Sequence, residues 1–139
     1  MTHYLLDNGV LVAYLKGRPG ALRRIRPWIA AQEAATSLVI YGEAIEYMKS
    51  DPEFVRRRLE LRALLRAVTP DRLSYPILER YADLRRMMRT PYGPGLIGDI
   101  DTLIAATALE HDLTVVTLDG DYLRVPGLSV LRFSREDLL

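Results

Sequence analysis

The chain has 139 residues, enough for one domain with a sizeable core, and 49% hydrophobic with 27% charged residues is the balance of a globular protein rather than a disordered one. No apolar run reaches the roughly 20 residues that span a bilayer, and the N-terminus lacks a basic stretch leading into a long apolar core, so a cytoplasmic protein with no membrane partner is expected. There is no cysteine, which excludes disulfides, thiolate metal sites and cysteine nucleophiles, and the net charge of +1 announces no nucleic-acid binder.

In chain order, His3 to Leu6 reads as a short buried strand that delivers Asp7 at its C-terminal end. Val10 to Leu15 starts a helix that stops at Gly17, with Pro19-Gly20 as a breaker, and Ala21 to Ala31 reads as a second helix. A strand is expected around Thr36 to Val39, leading into a helix from Ile40 to Met48. Phe54, Leu61 and Leu65 recur at helical spacing, so Glu53 to Ala67 is an amphipathic helix with its arginines outward. A weak strand lies between Val68 and Leu73. Ser74 before Pro76 marks the start of a helix that runs to about Arg89. Pro91 to Gly98, with two prolines and three glycines, is a loop. Asp99 to Glu110 is a helix with Asp99 as its N-cap, Leu113 to Thr117 a strand rich in β-branched residues, and Leu128 to Leu131 the last strand.

Short apolar strands alternating with helices point to an α/β fold around a mainly parallel sheet flanked by helices. No internal repeat or linker divides the chain, so residues 1–139 form one domain. Sites in such folds form at the C-terminal ends of the strands. Asp7 ends the first strand there, Glu43 lies in the helix after the second, and Asp119 follows the strand that ends at Thr117. Asp101 sits in the first turn of the helix leading into that strand. Each has an ordinary structural explanation: Asp7 as a helix cap, Asp119 and Asp121 as turn formers around Gly120. Glu43 is harder to dismiss, because it falls beside Ile40 and Tyr47 at the edge of the apolar stripe, where an unpaired carboxylate is costly. Glu46 falls away from that stripe and reads as solvated.

Together the four carboxylates converge without an assigned basic partner. Such a cluster repels itself, and a bound hard cation is the usual remedy. Oxygen-only ligation suits Mg²⁺ or Mn²⁺ rather than zinc, and His3 and His111 are the only histidines. Of the 19 basic residues 17 are arginine, clustered at Arg23, Arg24 and Arg26, at Arg56, Arg57 and Arg58, and at Arg85, Arg86 and Arg89. Contact with RNA phosphates and solvated helix faces explain these clusters equally well.

The stretch from Tyr4 to Leu15, with Asp7 inside it, resembles the opening of PIN domains, especially the toxins of VapBC toxin–antitoxin pairs. Tyr41-Gly42-Glu43 resembles that family's second acidic motif, and Ile97 to Ala106, with Asp101 inside it, its Asp-x-x-Ile-Ala-Ala helix. Val115 to Tyr122, followed by Val125 to Leu128, resembles its closing segment. The four motifs occur in the family's order and cover nearly the whole chain. The resemblance implies a divalent-metal-dependent endoribonuclease with catalytic and metal-site residues Asp7, Glu43, Asp101 and Asp119, and with Asp121 and Asp99 as accessories. It further implies an RNA substrate, a cognate antitoxin protein and a homodimer, with Tyr122 at an aromatic core position.

One departure stands out. The family follows its first aspartate with threonine and then asparagine or serine, whereas this chain has Asn8-Gly9. Metal binding with slow cleavage is the expectation that follows. A PIN-like module that binds RNA or protein without cutting is the alternative. A haloacid-dehalogenase-type phosphatase fits less well, because position 9 lacks that chemistry's second aspartate.

Overall fold

Strands buried on both faces need apolar side chains throughout, and the central ones of this protein have them. Leu5, Leu6, Val115 and Val116 are wholly buried, and Ala34 and Ala35 nearly so. The computed structural model describes all 139 residues. Five parallel strands, β1 (Tyr4–Leu6), β2 (Ala34–Ser37), β3 (Thr69–Asp71), β4 (Thr114–Thr117) and β5 (Val130–Arg132), form one sheet in the order β3-β2-β1-β4-β5. Seven helices flank it: α1 (Asn8–Leu15), α2 (Pro19–Ala30), α3 (Leu38–Met48), α4 (Phe54–Leu64), α5 (Tyr75–Met88), α6 (Asp99–His111) and α7 (Arg135–Leu138). No helix is long and apolar enough to cross a membrane.

That strand order fixes where a site can form. The chain leaves β1 toward β2 and β3 on one side, then returns to place β4 and β5 on the other. The crevice beyond the C-terminal ends of β1 and β4 is therefore the point where the winding reverses, the usual ligand position of an open parallel sheet. Asp7 and Asp119 follow those two strands.

Several boundaries differ from the sequence reading. The second strand lies at Ala34–Ser37, two residues earlier than Thr36, because Ser37 caps α3 by accepting a hydrogen bond from the Val39 N–H at 3.1 Å. Val39 is thus helical. Pro19-Gly20 does not break a helix but opens α2, with the proline at its first position, where its missing N–H costs nothing. A side chain at Gly20 would strike the backbone carbonyls of Asp137 and Leu139, and the Gly20 N–H donates to the Leu139 carbonyl at 2.8 Å. The bare backbone there docks α7, a helix absent from the sequence reading and closed by a capping box between Ser134 and Asp137. Asp99 is the first residue of α6, and its N-cap is Gly98. On α4, Leu61 is buried and Phe54 packs against the core, while Val55 and Leu59 are exposed.

Candidate metal centre

Asp7, a candidate site residue, is also a cap. It is the N-cap of α1, one oxygen accepting from the Asn8 N–H at 2.9 Å, so α1 begins at Asn8 rather than Val10. Its other oxygen accepts from the Thr117 hydroxyl at 2.7 Å, and the Asp7 N–H donates to the Val116 carbonyl at 3.0 Å. Thr117 is fully buried, and its hydroxyl also accepts from the Asp119 N–H at 3.0 Å. A single hydroxyl therefore ties the end of β1 to the loop after β4. Asp119 in turn caps the 3-10 turn Gly120–Arg124, accepting from the Asp121 N–H at 2.8 Å.

Across from that loop, Asp101 stands in the first turn of α6, on the face it shares with buried Ala105 and Ala108. The Tyr122 hydroxyl donates to it at 3.0 Å. Tyr122 is fully buried, as its core position implies. Burial, followed by the negative charges of Asp7, Asp101 and Glu43, pushes its phenol far above the usual tyrosine range, so it remains an O–H donor.

The carboxylate oxygens of Asp101, Asp119 and Asp121 lie within 4.8 Å of one another. Asp7 is close enough for charge coupling to Asp119 and Asp101, and Glu43 to Asp101. Burial is the main reason the Asp7 carboxyl is raised; the bonds from Thr117 and Asn8 oppose this, and the charge of Asp119 adds to it. Asp101 is raised by burial first, lowered by its bond from Tyr122, and raised again by Asp7, Asp119 and Asp121. Glu43 is pushed up to about 7 by burial, then by Asp7, Asp101 and Glu46. Glu46 is exposed, as expected, but Tyr47 is exposed too and so does not extend the apolar stripe beside Glu43.

No lysine or arginine forms an ion pair with Asp7, Glu43, Asp101 or Asp119; Asp121 has only Arg124 at 3.5 Å. Beside them the Asn8 Oδ1 is buried without a donor. An all-oxygen set of acceptors almost without a counter-cation fits a hard divalent ion. Asp99 stands apart from this set. It is exposed, paired with Arg85 and hydrogen-bonded by the Tyr81 hydroxyl at 3.5 Å. Asp121, expected as an accessory, sits in the tightest part of the cluster. Thr117 and the hydroxyl of Tyr122 went unassigned in the sequence, and only the Thr-x-Asp spacing before the turn hints at the first.

A family model described as the PIN domain matches residues 4–128. The chain belongs to the PIN domain family. Among solved structures, the VapBC2 complex of Rickettsia felis bound to a promoter DNA fragment holds a chain that matches with a TM-score of 0.83 at 19% identity, over 96% of this chain and 100% of that one. A chain of the DNA-bound VapBC complex of Salmonella typhimurium matches with a TM-score of 0.80 at 18% identity, over 95% and 98%. One from a toxin–antitoxin complex of Klebsiella pneumoniae gives 0.71 at 24%, over 94% and 98%. At these identities the likeness establishes a PIN fold. No curated protein matches the chain.

Proposed function

We propose that this PIN domain is a divalent-metal-dependent endoribonuclease and the toxin of a toxin–antitoxin pair. The observation that carries the reading is the uncompensated carboxylate cluster at the winding-reversal point of the sheet. Asp101, Asp119 and Asp121, with Asp7 and Glu43 facing them, would hold Mg²⁺ or Mn²⁺. Such an ion, when bound, supplies charge stabilisation for a phosphoryl group and lowers the pKa of water.

The protein's own residues do the rest. Tyr122 fixes the rotamer of Asp101, and Thr117 holds Asp7 in register with the Asp119 loop. Glu43, which no side chain hydrogen-bonds, would be free to take a proton from an attacking water at its carboxylate oxygen. The cluster repels phosphate by itself, so cleavage requires the cation.

The partner reading is supported by the company of the fold: the similar chains come from complexes described as VapBC or toxin–antitoxin. An antitoxin and a second copy of the chain are the partners proposed here, and Val55 and Leu59 on α4 leave apolar surface beyond the needs of the core. One observation favours the alternative of a binding module that does not cut. Gly9 contributes no side chain beside Asp7, and the nearest atoms to a Cβ there belong to Leu118.

Incubating the purified protein with RNA in Mn²⁺ and in EDTA decides between the two. Cleavage in Mn²⁺ alone, with slowed growth on expression and relief by the product of an adjacent antitoxin-like gene, is the expected result. Folded protein that binds Mn²⁺ yet leaves RNA intact and growth unimpaired supports the binding module instead.

A further inference from the structure

A strand of RNA engaged at five carboxylates must carry its flanking phosphates away along some path, and those phosphates need positive charge nearby. Part of the arginine clusters prominent in the sequence is already neutralised. Arg56 and Arg57 are paired with Glu53, Glu60 and Asp51, Arg85 with Asp99, and Arg24 with Asp137. Around the acids the distribution differs.

A cleft of about 370 Å³ opens beside the metal centre, lined by Asn8 and Gly9 at the start of α1 and by Leu118, the neighbour of Asp119. Its other wall carries Lys16, Arg18, Tyr47 and Arg135. All three cations are exposed, and none is paired with a carboxylate. The Lys16 ammonium donates to the Tyr47 hydroxyl at 3.0 Å and lies 5.0 Å from the centre of its ring. Lys16 holds that phenol below its usual range, and Arg18 and Arg135, which line the same cleft, act in the same sense. Leu118 and Arg135 also line a second cleft that contains Asp119 and Arg132, so the two clefts adjoin at those residues. Along α1, Lys16 lies nine residues beyond Asp7, about 13 Å at the helical rise.

We propose that this cleft is a phosphate subsite of the nuclease, in which Lys16, Arg18 and Arg135 hold a backbone phosphate of the RNA a few nucleotides from the scissile bond. The Tyr47 hydroxyl, which accepts from Lys16, keeps its own proton to donate to a phosphate oxygen. The assignment rests on the ribonuclease reading and adds to it the direction in which the substrate strand runs. A protein segment of acidic composition would meet the same cations. RNA is favoured because the cleft adjoins, at Leu118 and Arg135, the one that holds Asp119.

The test is the binding of a short, labelled single-stranded RNA in Ca²⁺ across a range of salt, by fluorescence anisotropy. The parent is compared with the double variant Lys16→Ala/Arg135→Ala and with Arg23→Ala/Arg26→Ala, which removes equal charge from exposed positions of α2. The first double variant should bind about tenfold more weakly, and the slope of log K against log[salt] should shrink by about 0.7, the share of one single-strand phosphate. The α2 variant should bind like the parent. Unchanged affinity and slope in the first variant, or equal loss in both, overturns the subsite. So does a labelled poly-glutamate peptide that binds more tightly than the RNA and is lost with Lys16 and Arg135. Protein that cuts RNA but fails these comparisons overturns the subsite alone. Protein that neither binds nor cuts RNA overturns the nuclease reading with it.

Discussion

Helix α4 and the acid-lined ends of β1 and β4 handle charge in opposite ways. On α4 two of the four arginines are paired: Arg56 meets Glu53 and Glu60, and Arg57 meets Asp51 and Glu60. These pairs are largely in water, where such bridges contribute little. At the strand ends five carboxylates are gathered with almost no cation, Asp7 held by Thr117 and Asp101 by Tyr122. A dense charge pattern in the sequence therefore says little by itself. The informative feature is charge of one sign kept together at a cost in folding energy, because a binding event must recover that cost.

The sharpest way to break this contrast is to remove the groups that hold the acids in place. Tyr122→Phe and Thr117→Val each delete one hydroxyl and leave a carboxylate oxygen without its donor. Mn²⁺ affinity, read by calorimetry, and RNA cleavage should fall by roughly 10–100-fold, the usual range for groups that orient metal ligands. If both variants bind Mn²⁺ as the parent does, the hydroxyls are ordinary core contacts and the strand ends are no more organised than α4.

Next in size is the pH dependence of the metal-free protein. The Glu43 carboxyl is raised from 4.5 to about 7 in the fold, so the folded state holds a proton that the unfolded chain releases. Its contribution to stability is fully present below pH 4.5 and is lost as pH rises through about 7. In EDTA, Glu43→Gln should match the parent at the acid end of that window and melt higher than it above pH 7. Added Mn²⁺ should bring the parent back up. Identical melting curves at all pH values would show that neither burial nor repulsion acts on Glu43.

Gly9→Asn tests whether the missing side chain limits cleavage. A Cβ at position 9 would meet Leu118 Cδ1 at 3.1 Å, so Leu118 must shift by a few tenths of an ångström. Cleavage at saturating Mn²⁺ should rise about threefold or more. A change within about twofold, less than ~0.5 kcal/mol of barrier, would show that the side chain is not limiting. The smallest effect belongs to α4. Arg56→Ala should alter stability by less than about 0.5 kcal/mol, or about 2 °C in Tm.

Much of this was legible in the sequence, for reasons particular to each element. β1 and β4 show as apolar runs of Leu and Val, and α6 shows as a helix with an acidic first turn. The acids Asp7, Glu43, Asp101 and Asp119 stand out because each falls after a strand or at a helix edge. β2 was displaced because Ala34 and Ala35 carry no strand propensity; they are buried by their neighbours, not by their own preference. α7 is only four residues long, too short for any periodicity, and its anchor is Gly20, more than a hundred residues away in the chain. The bonds from Thr117 and Tyr122 to Asp7 and Asp101 were not legible because they span 110 and 21 residues. Asp99 was misplaced because Arg85, its partner, reaches it from α5.

The most direct test of the metal centre is thermal melting of the parent and of Asp101→Asn as Mn²⁺ is added. Binding to the folded state alone stabilises it by about 2.7 kcal/mol at a hundredfold excess over Kd, so the parent's Tm should climb steadily with concentration. Asp101→Asn, with one acid of the tight cluster made neutral, should start at or above the parent without metal and show little or no rise. A parent that fails to respond to Mn²⁺, or a variant whose Tm climbs just as steeply, would contradict a cation site at these carboxylates.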